Sequence, residues 1–160
     1  MGRLSDDEAT GLRWFLPYLP RAIVTLDRRG DSIATVVFNS HRYRVRPVII
    51  RGSLKFDVQV KVGGVIDQMG QSVSEAQVKS MVAQKIEKDI RKTYDKGLRF
   101  GVDIYSLADS LYRRNPKAFH RFVTNDGHVK LSEDSLQRIQ VEVTIKDAGK
   151  LTKPATRFTS

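Results

Sequence analysis

Cysteine is absent from this sequence, which excludes disulfide bonds, thiol catalysis and cysteine-based zinc sites. Long apolar runs are absent as well, since none approaches the roughly 18 residues that a membrane-spanning helix needs. The first residues, Met1–Glu8, also lack the apolar core of a secretory signal peptide. We therefore expect the fold to depend on a packed core rather than on covalent cross-links.

Recognisable catalytic and metal-binding patterns are missing too. The three histidines, His41, His120 and His128, fall in separate segments, and none has a second ligand at helical metal spacing. There is no phosphate-binding glycine loop, no nucleophile elbow and no carboxylate pair placed by a motif. We therefore predict no catalytic residue, no metal site and no cofactor, and we expect the protein not to be an enzyme.

What the sequence does have is a large excess of positive charge. The net charge is +10 over 160 residues, which favours polyanionic partners such as nucleic acid, anionic lipid headgroups or cell-wall polymers. The same charge can also serve only to keep a protein soluble. Hydrophobic residues make up 40% of the chain, and a chain of this length buries about 70% of its unfolded surface. Residues 1–160 therefore predict one folded domain.

Segments with alternating apolar residues predict strands. In Leu54–Val62 every second residue is apolar and the others are polar or charged, which is typical of a strand with one buried and one wet face. Ile139–Ile145 alternates in the same way. Runs rich in β-branched residues predict further strands, with turns between them at 27–31 and 39–41: Ala22–Leu26, Ile33–Phe38 and Tyr43–Ile50. Gly63-Gly64 is expected to kink or bulge the chain.

An apolar stripe at three- and four-residue spacing predicts one long helix from about residue 74 to 100. Ser74 with Gln77 fits a capping box at its start, and Gly101 fits its end. Ser106 with Asp109 is expected to cap a second, shorter helix, and Asn115-Pro116 to begin a third. The order of elements predicts an α+β fold, in which a largely antiparallel sheet packs against the long helix with two shorter helices.

The most basic stretch, Arg42-Tyr43-Arg44-Val45-Arg46, places arginines at every second position. On a strand these arginines share one face, which can bind phosphates or can simply be solvated. No paired aromatic strands of an RNA-recognition domain accompany them. A basic nucleic-acid-binding module is therefore the alternative to the function suggested next, and specific nucleic acid is not the expected partner.

Several segments resemble, in order and with compatible spacing, the C-terminal domain of the Ger(x)C family, the C-subunit lipoproteins of bacterial spore nutrient germinant receptors. The first similar segment has a Gly-x-Leu followed by acidic residues, a Gly and a Trp, and the last has a closing strand followed by a Gly…Pro tail. The similar segments are 2–14, 56–66, 101–105, 111–119 and 141–154. Tyr112 and Phe119 stand where the family pattern has His and Trp, and a later Trp has no counterpart. Both substitutions keep aromatic bulk.

The resemblance implies a role without catalysis. It implies that this chain is the excised C-terminal domain of a longer lipoprotein. That lipoprotein would be anchored at the outer face of the inner spore membrane and would act with two integral-membrane subunits in nutrient-triggered germination. Together with the charge, it suggests an anionic membrane surface as a further partner. The family-motif residues are expected to be mainly structural, in turns, caps and core: Gly11, Trp14, Gly101, Asp103, Pro116 and Phe119.

Overall fold

The computed structural model describes residues 10–16 and 22–146. A short 3₁₀ helix, Thr10–Phe15, precedes the first strand. The strands are β1 (Ala22–Arg28), β2 (Asp31–Ile50), β3 (Ser53–Met69) and β4 (Leu136–Lys146), and the helices are α1 (Glu75–Arg99), α2 (Leu107–Arg114) and α3 (Pro116–Phe122). The predicted α+β fold with one long and two shorter helices is confirmed. The start of the first family-like segment, residues 2–9, and the tail after Lys146 lie outside the described residues.

The strands form one sheet in the order β1-β2-β3-β4. The first two pairings are antiparallel and the last, β3 with β4, is parallel, so the sheet is largely antiparallel, as predicted. Arg29-Gly30 joins β1 to β2, and Arg51-Gly52 joins β2 to β3, with φ positive at both residues of each pair. Two such residues form a type I′ turn, whose twist matches that of the flanking strands.

The predicted turn at 39–41 is wrong, because β2 continues through it. The pairing register with β3 shifts between Phe38 and Ser40, so that Asn39 is an extra residue in a β-bulge. Gly64 opposes this bulge, and a Cβ there would overlap the Val37 carbonyl oxygen and the ring of Phe38. The glycine pair therefore accommodates a bulge in the neighbouring strand, while β3 continues to Met69 with an extra residue of its own at Asp67, opposite the step from Thr35 to Val36.

Helix α1 covers one face of this sheet. Its capping box is formed as predicted: Gln77 N–H donates to Ser74 Oγ at 3.1 Å, and Ser74 N–H donates to Gln77 Oε1 at 2.8 Å. The helix ends at Gly101 (φ +68°), where Val102 N–H donates to the Gly97 carbonyl in a Schellman motif. The apolar stripe is buried against the even-numbered side chains of β3: Val78, Val82, Ile86, Ile90 and Tyr94.

Helix α2 lies beside the second half of β2, and α3 packs on α2. Ser110 Oγ in α2 donates to the Val45 carbonyl at 3.0 Å. As predicted, Asn115 caps α3, accepting the Ala118 N–H at 3.1 Å, with Pro116 in the first helical position. The predicted Ser106 cap of α2 is wrong, since Ser106 takes a left-handed conformation (φ +54°) and its hydroxyl makes no capping bond.

Candidate interaction surface

The first two family-motif residues fix the 3₁₀ helix on α1. Gly11 N–H donates to Thr93 Oγ1 at 3.0 Å, and a Cβ on Gly11 would overlap the backbone of α1 at Asp89 and Ile90. Trp14 is 1% exposed and meets Phe38 edge-to-face at 5.8 Å between ring centroids. Only glycine allows this approach, and the approach places Trp14 in the core.

The next two motif residues connect α1 to α2. Gly101 supplies the left-handed residue that ends α1. The two carboxylate oxygens of Asp103 accept the N–H groups of Leu107 and Ala108, each at 2.8 Å. Asp103 therefore performs the capping that the sequence pattern assigned to Ser106, and its negative charge also suits the positive end of the α2 dipole.

The last two motif residues belong to α3. Pro116 begins the helix, and Phe119, which is half-buried, meets the exposed Tyr112 edge-to-face at 5.1 Å. The six motif residues thus take part in three separate sets of packing and capping contacts. A mainly structural role for them stays a prediction.

The aromatic residues between α1 and β2 form a buried stack. Phe15 and Tyr105 stack at 4.0 Å, and Tyr105 donates its hydroxyl to the Ile90 carbonyl at 2.9 Å. Tyr94 donates to the Ser132 carbonyl at 2.8 Å, and burial raises its pKa to about 12. Burial also raises the pKa of Tyr105. Both phenols stay protonated near neutral pH, so they act as hydrogen-bond donors that hold the loops around α1.

The sheet face opposite α1 carries a cluster of exposed basic residues. The Asn39 bulge changes which side chains of β2 point inward: Ala34, Val36 and Phe38 are buried before it, and Val45 after it. Arg42, Arg44 and Arg46 are therefore exposed together on the outer face, as the strand pattern predicted. We call this surface the open face. It has a basic half, made by residues of β2, β3 and β4: Arg42, Arg44, Arg46, Lys55, Asp57, Gln59, Lys61, Arg138, Gln140 and Glu142.

The positive charge of the open face is only partly neutralised. Lys61 forms an ion pair with Glu142 at 3.6 Å, and Asp57 lies in register between Arg46 and Arg138. Within the described ranges, the arginines of β2 form no ion pair. Arg138 was not singled out from the sequence, because its place depends on β4 starting at Leu136, three residues before the predicted Ile139.

Two further clefts reach the edge of the open face, at Arg138 and at Arg44. The larger, about 630 Å³, runs between the outer side of α1 and the start of β4, where Arg91 Nη1 donates to the Leu136 carbonyl at 2.6 Å. The smaller, about 440 Å³, lies between the 3₁₀ helix, β2 and α2, with Phe15 and Tyr105 in its wall. Lysines and arginines crowd the first, while the second mixes aromatic rings with exposed charges. Neither holds a recognisable catalytic group.

The described residues offer neither a metal site nor a membrane-spanning helix. No group of three or more His, Asp or Glu side chains is placed to hold a metal ion there. No helix in these ranges has both the length and the apolar composition needed to cross a membrane.

Comparison with known proteins gives one family and one fold. The model of the family described as "Spore germination B3/ GerAC like, C-terminal" matches residues 1–149, whereas no curated protein sequence matches. A solved structure, described as "Crystal Structure of the GerBC protein", has the same fold, with a TM-score of 0.73 at 19% identity over 92% of this chain. This chain spans about half of that protein, 47% of its length. The resemblance read from the sequence is confirmed, and the chain belongs to the C-terminal domain family of the spore germination B3/GerAC-like proteins.

Proposed function

We propose that this chain is the non-catalytic interaction domain of a spore germinant-receptor C subunit, which supports nutrient-triggered germination by docking on the receptor's integral-membrane subunits. The observation that carries the proposal is the family match over residues 1–149. The described residues add a rigid scaffold with a broad exposed face. In this proposal the full-length protein is a lipoprotein, held by its lipid anchor at the outer face of the inner spore membrane.

The surface chemistry supports docking more than catalysis. A docking surface needs exposed side chains fixed on rigid elements, and the open face is built on three paired strands whose other side is core. The motif residues support that rigidity: Gly11 lets the 3₁₀ helix pack on α1, and Asp103 fixes the start of α2. We propose that the motif residues keep this scaffold rigid and that exposed side chains choose the partner.

Partner binding can be tested by retention on the immobilised domain. The two membrane subunits, solubilised in detergent so that no bilayer contributes, are expected to be retained by the domain and not by an unrelated basic domain of equal charge. In cells, full-length protein lacking this domain is expected to lose nutrient-triggered germination while the membrane subunits are still made. Loss of retention of both subunits, together with normal germination without the domain, would refute docking as its mechanism.

The alternative function, nucleic-acid binding, is favoured by one observation, the exposed arginines of β2. Binding through phosphates releases counterions, so affinity falls with salt at a slope of about −0.9 per phosphate contacted. We expect only weak, sequence-indifferent binding near physiological salt. Submicromolar, sequence-selective and salt-steep binding in a gel-shift titration would replace the receptor proposal.

A further inference from the structure

We propose that the open face is a docking surface for anionic phospholipid headgroups, so that the domain lies with its sheet against the bilayer and α1 directed away from it. The inference deepens the proposed function and rests on it for the presence of a membrane nearby. It is argued from the charge, shape and side-chain chemistry of this face.

The arrangement of cations on the open face carries an energetic cost within the domain. Arg42 lies directly opposite Lys61 across the β2–β3 pair, and like charges in directly opposed positions destabilise a sheet. Arg42, Arg44 and Arg46 also follow one another at every second position, with no ion pair formed within the described ranges. Local rules are broken in this way mostly where a function requires it, and an external anion would relieve the repulsion.

The shape of the basic half suits a planar partner. From Arg42 to Arg46 the strand advances about 14 Å, and from β2 to β4 the sheet extends about 10 Å. It has two hollows open to solvent, one of about 120 Å³ between Arg44, Arg46 and Arg138 and one of about 350 Å³ lined by Arg42, Arg44 and Lys61. Individual phosphate groups of a headgroup layer can enter such open hollows, since each guanidinium can bind a phosphate through two N–H groups.

The other half of the open face carries an aliphatic row, next to Thr25, Thr35 and the exposed Asp27. Ile23, Val37 and Val65 lie side by side on β1, β2 and β3, and Lys146 on β4 continues the row. Ile23 is 56% exposed. Aliphatic groups beside phosphate-binding cations match the boundary between headgroups and acyl chains.

The exposed Tyr43 borders the basic half but its ring packs against Phe15, and none of the open-face residues named above is aromatic. Single-stranded nucleic acids are held largely by stacking on successive aromatic rings, so the face favours lipid over nucleic acid.

The test is co-sedimentation of the folded chain with vesicles. The domain should bind vesicles that contain phosphatidylglycerol and not vesicles of phosphatidylcholine alone. At about 1 kcal/mol per well-placed cation, the combined Arg42→Gln, Arg44→Gln and Arg46→Gln variant should bind roughly 100-fold more weakly. Raising the salt concentration should weaken the binding of the unaltered domain.

A matched control removes the same charge from elsewhere. Lys79 on α1 and Lys117 and Arg121 on α3 carry the same charge on helices outside the sheet, and their combined replacement by Gln should change vesicle binding by less than about threefold, because charges beyond a Debye length of roughly 8 Å are screened. Equal losses in the two variants would overturn the proposal, because net charge alone would then explain binding.

A second variant keeps the test independent of folding. Gln59→Glu places one carboxylate directly opposite Arg44, which should raise the melting temperature and still weaken vesicle binding. Unchanged vesicle binding by this variant overturns the proposal, as does tighter binding of the original chain to an acidic peptide or to duplex DNA than to the vesicles. Since no receptor subunit is present, vesicle binding without subunit retention would refute the proposed function and leave this inference standing.

Discussion

Replacing Gly11 by alanine tests how the 3₁₀ helix is held on α1. The added Cβ would overlap the α1 backbone at Asp89 and Ile90, which no rotamer change can relieve, and the shift weakens the hydrogen bond from Gly11 N–H to Thr93. Overpacking costs about 1–3 kcal/mol, and a weakened buried hydrogen bond adds to it. We expect Gly11→Ala to lower the free energy of unfolding by about 2–4 kcal/mol, or roughly 5–15 °C in melting temperature.

The loss should not extend to detachment of the whole 3₁₀ helix. Trp14 and Phe15 are both buried, and burial of each aromatic ring contributes roughly 4–6 kcal/mol by area, which exceeds the strain. The helix should therefore shift while its aromatic rings stay inside. Trp14 is the single tryptophan of the chain, so its fluorescence reports both the unfolding midpoint in urea and any exposure of the ring in the native state.

Gly97→Ala is the matched control. Its Cβ would meet Ile104 Cβ at 3.1 Å and the Val102 carbonyl oxygen at 3.2 Å, so the loop after α1 needs to shift by only a few tenths of an ångström. Alanine also gains about 1 kcal/mol over glycine within a helix. The net change should lie within about 1 kcal/mol of zero. If Gly11→Ala proves as stable as Gly97→Ala and the unaltered chain, the close approach of Gly11 to α1 is wrong.

Three further predictions concern α1 and the start of α2. Ile86→Ala should lower the free energy of unfolding by about 2–5 kcal/mol because Ile86 is 1% exposed, and Gln84→Ala on the outer side of α1 should leave it almost unchanged. Equal melting temperatures of the two variants would show that the apolar stripe is not core. Asp103→Ala should lower the free energy of unfolding by about 1–2 kcal/mol, whereas Ser106→Gly should raise it by about 0.5–1 kcal/mol because φ of Ser106 is positive. If urea titrations show Ser106→Gly to be the less stable of the two, Asp103 is not the cap of α2. The pKa of Tyr94 rises on folding from 10.0 to about 12, so its contribution to stability is complete below pH 10 and is lost as the pH rises towards 12. The free energy of unfolding of Tyr94→Phe should therefore fall less between pH 10 and 12 than that of the unaltered chain. An equal fall in the two proteins would refute the raised pKa.

Several elements could be predicted from the sequence because their signals are local. The alternation in Leu54–Val62 and Ile139–Ile145 marked β3 and most of β4, and the spacing of Val78, Ile86 and Ile90 marked α1. The caps at Ser74, Gly101 and Asn115 were also readable, since each depends on residues within one helical turn. Family membership followed from the order of such segments, and residues 1–149 confirm it.

Tertiary structure decided the features that depend on distant partners. Asn39 looked like a turn residue, but pairing with Gly63-Gly64 makes it a bulge within one long strand, and that bulge turns the arginines of β2 outward. Ser106 had the better local cap pattern, yet the Schellman end of α1 brings Asp103 to the start of α2. The neighbour of β4 and its parallel direction were likewise not readable. Strand neighbours and the side of the sheet that α1 covers are set by burial across the whole chain, and so the open face exists only in the folded domain.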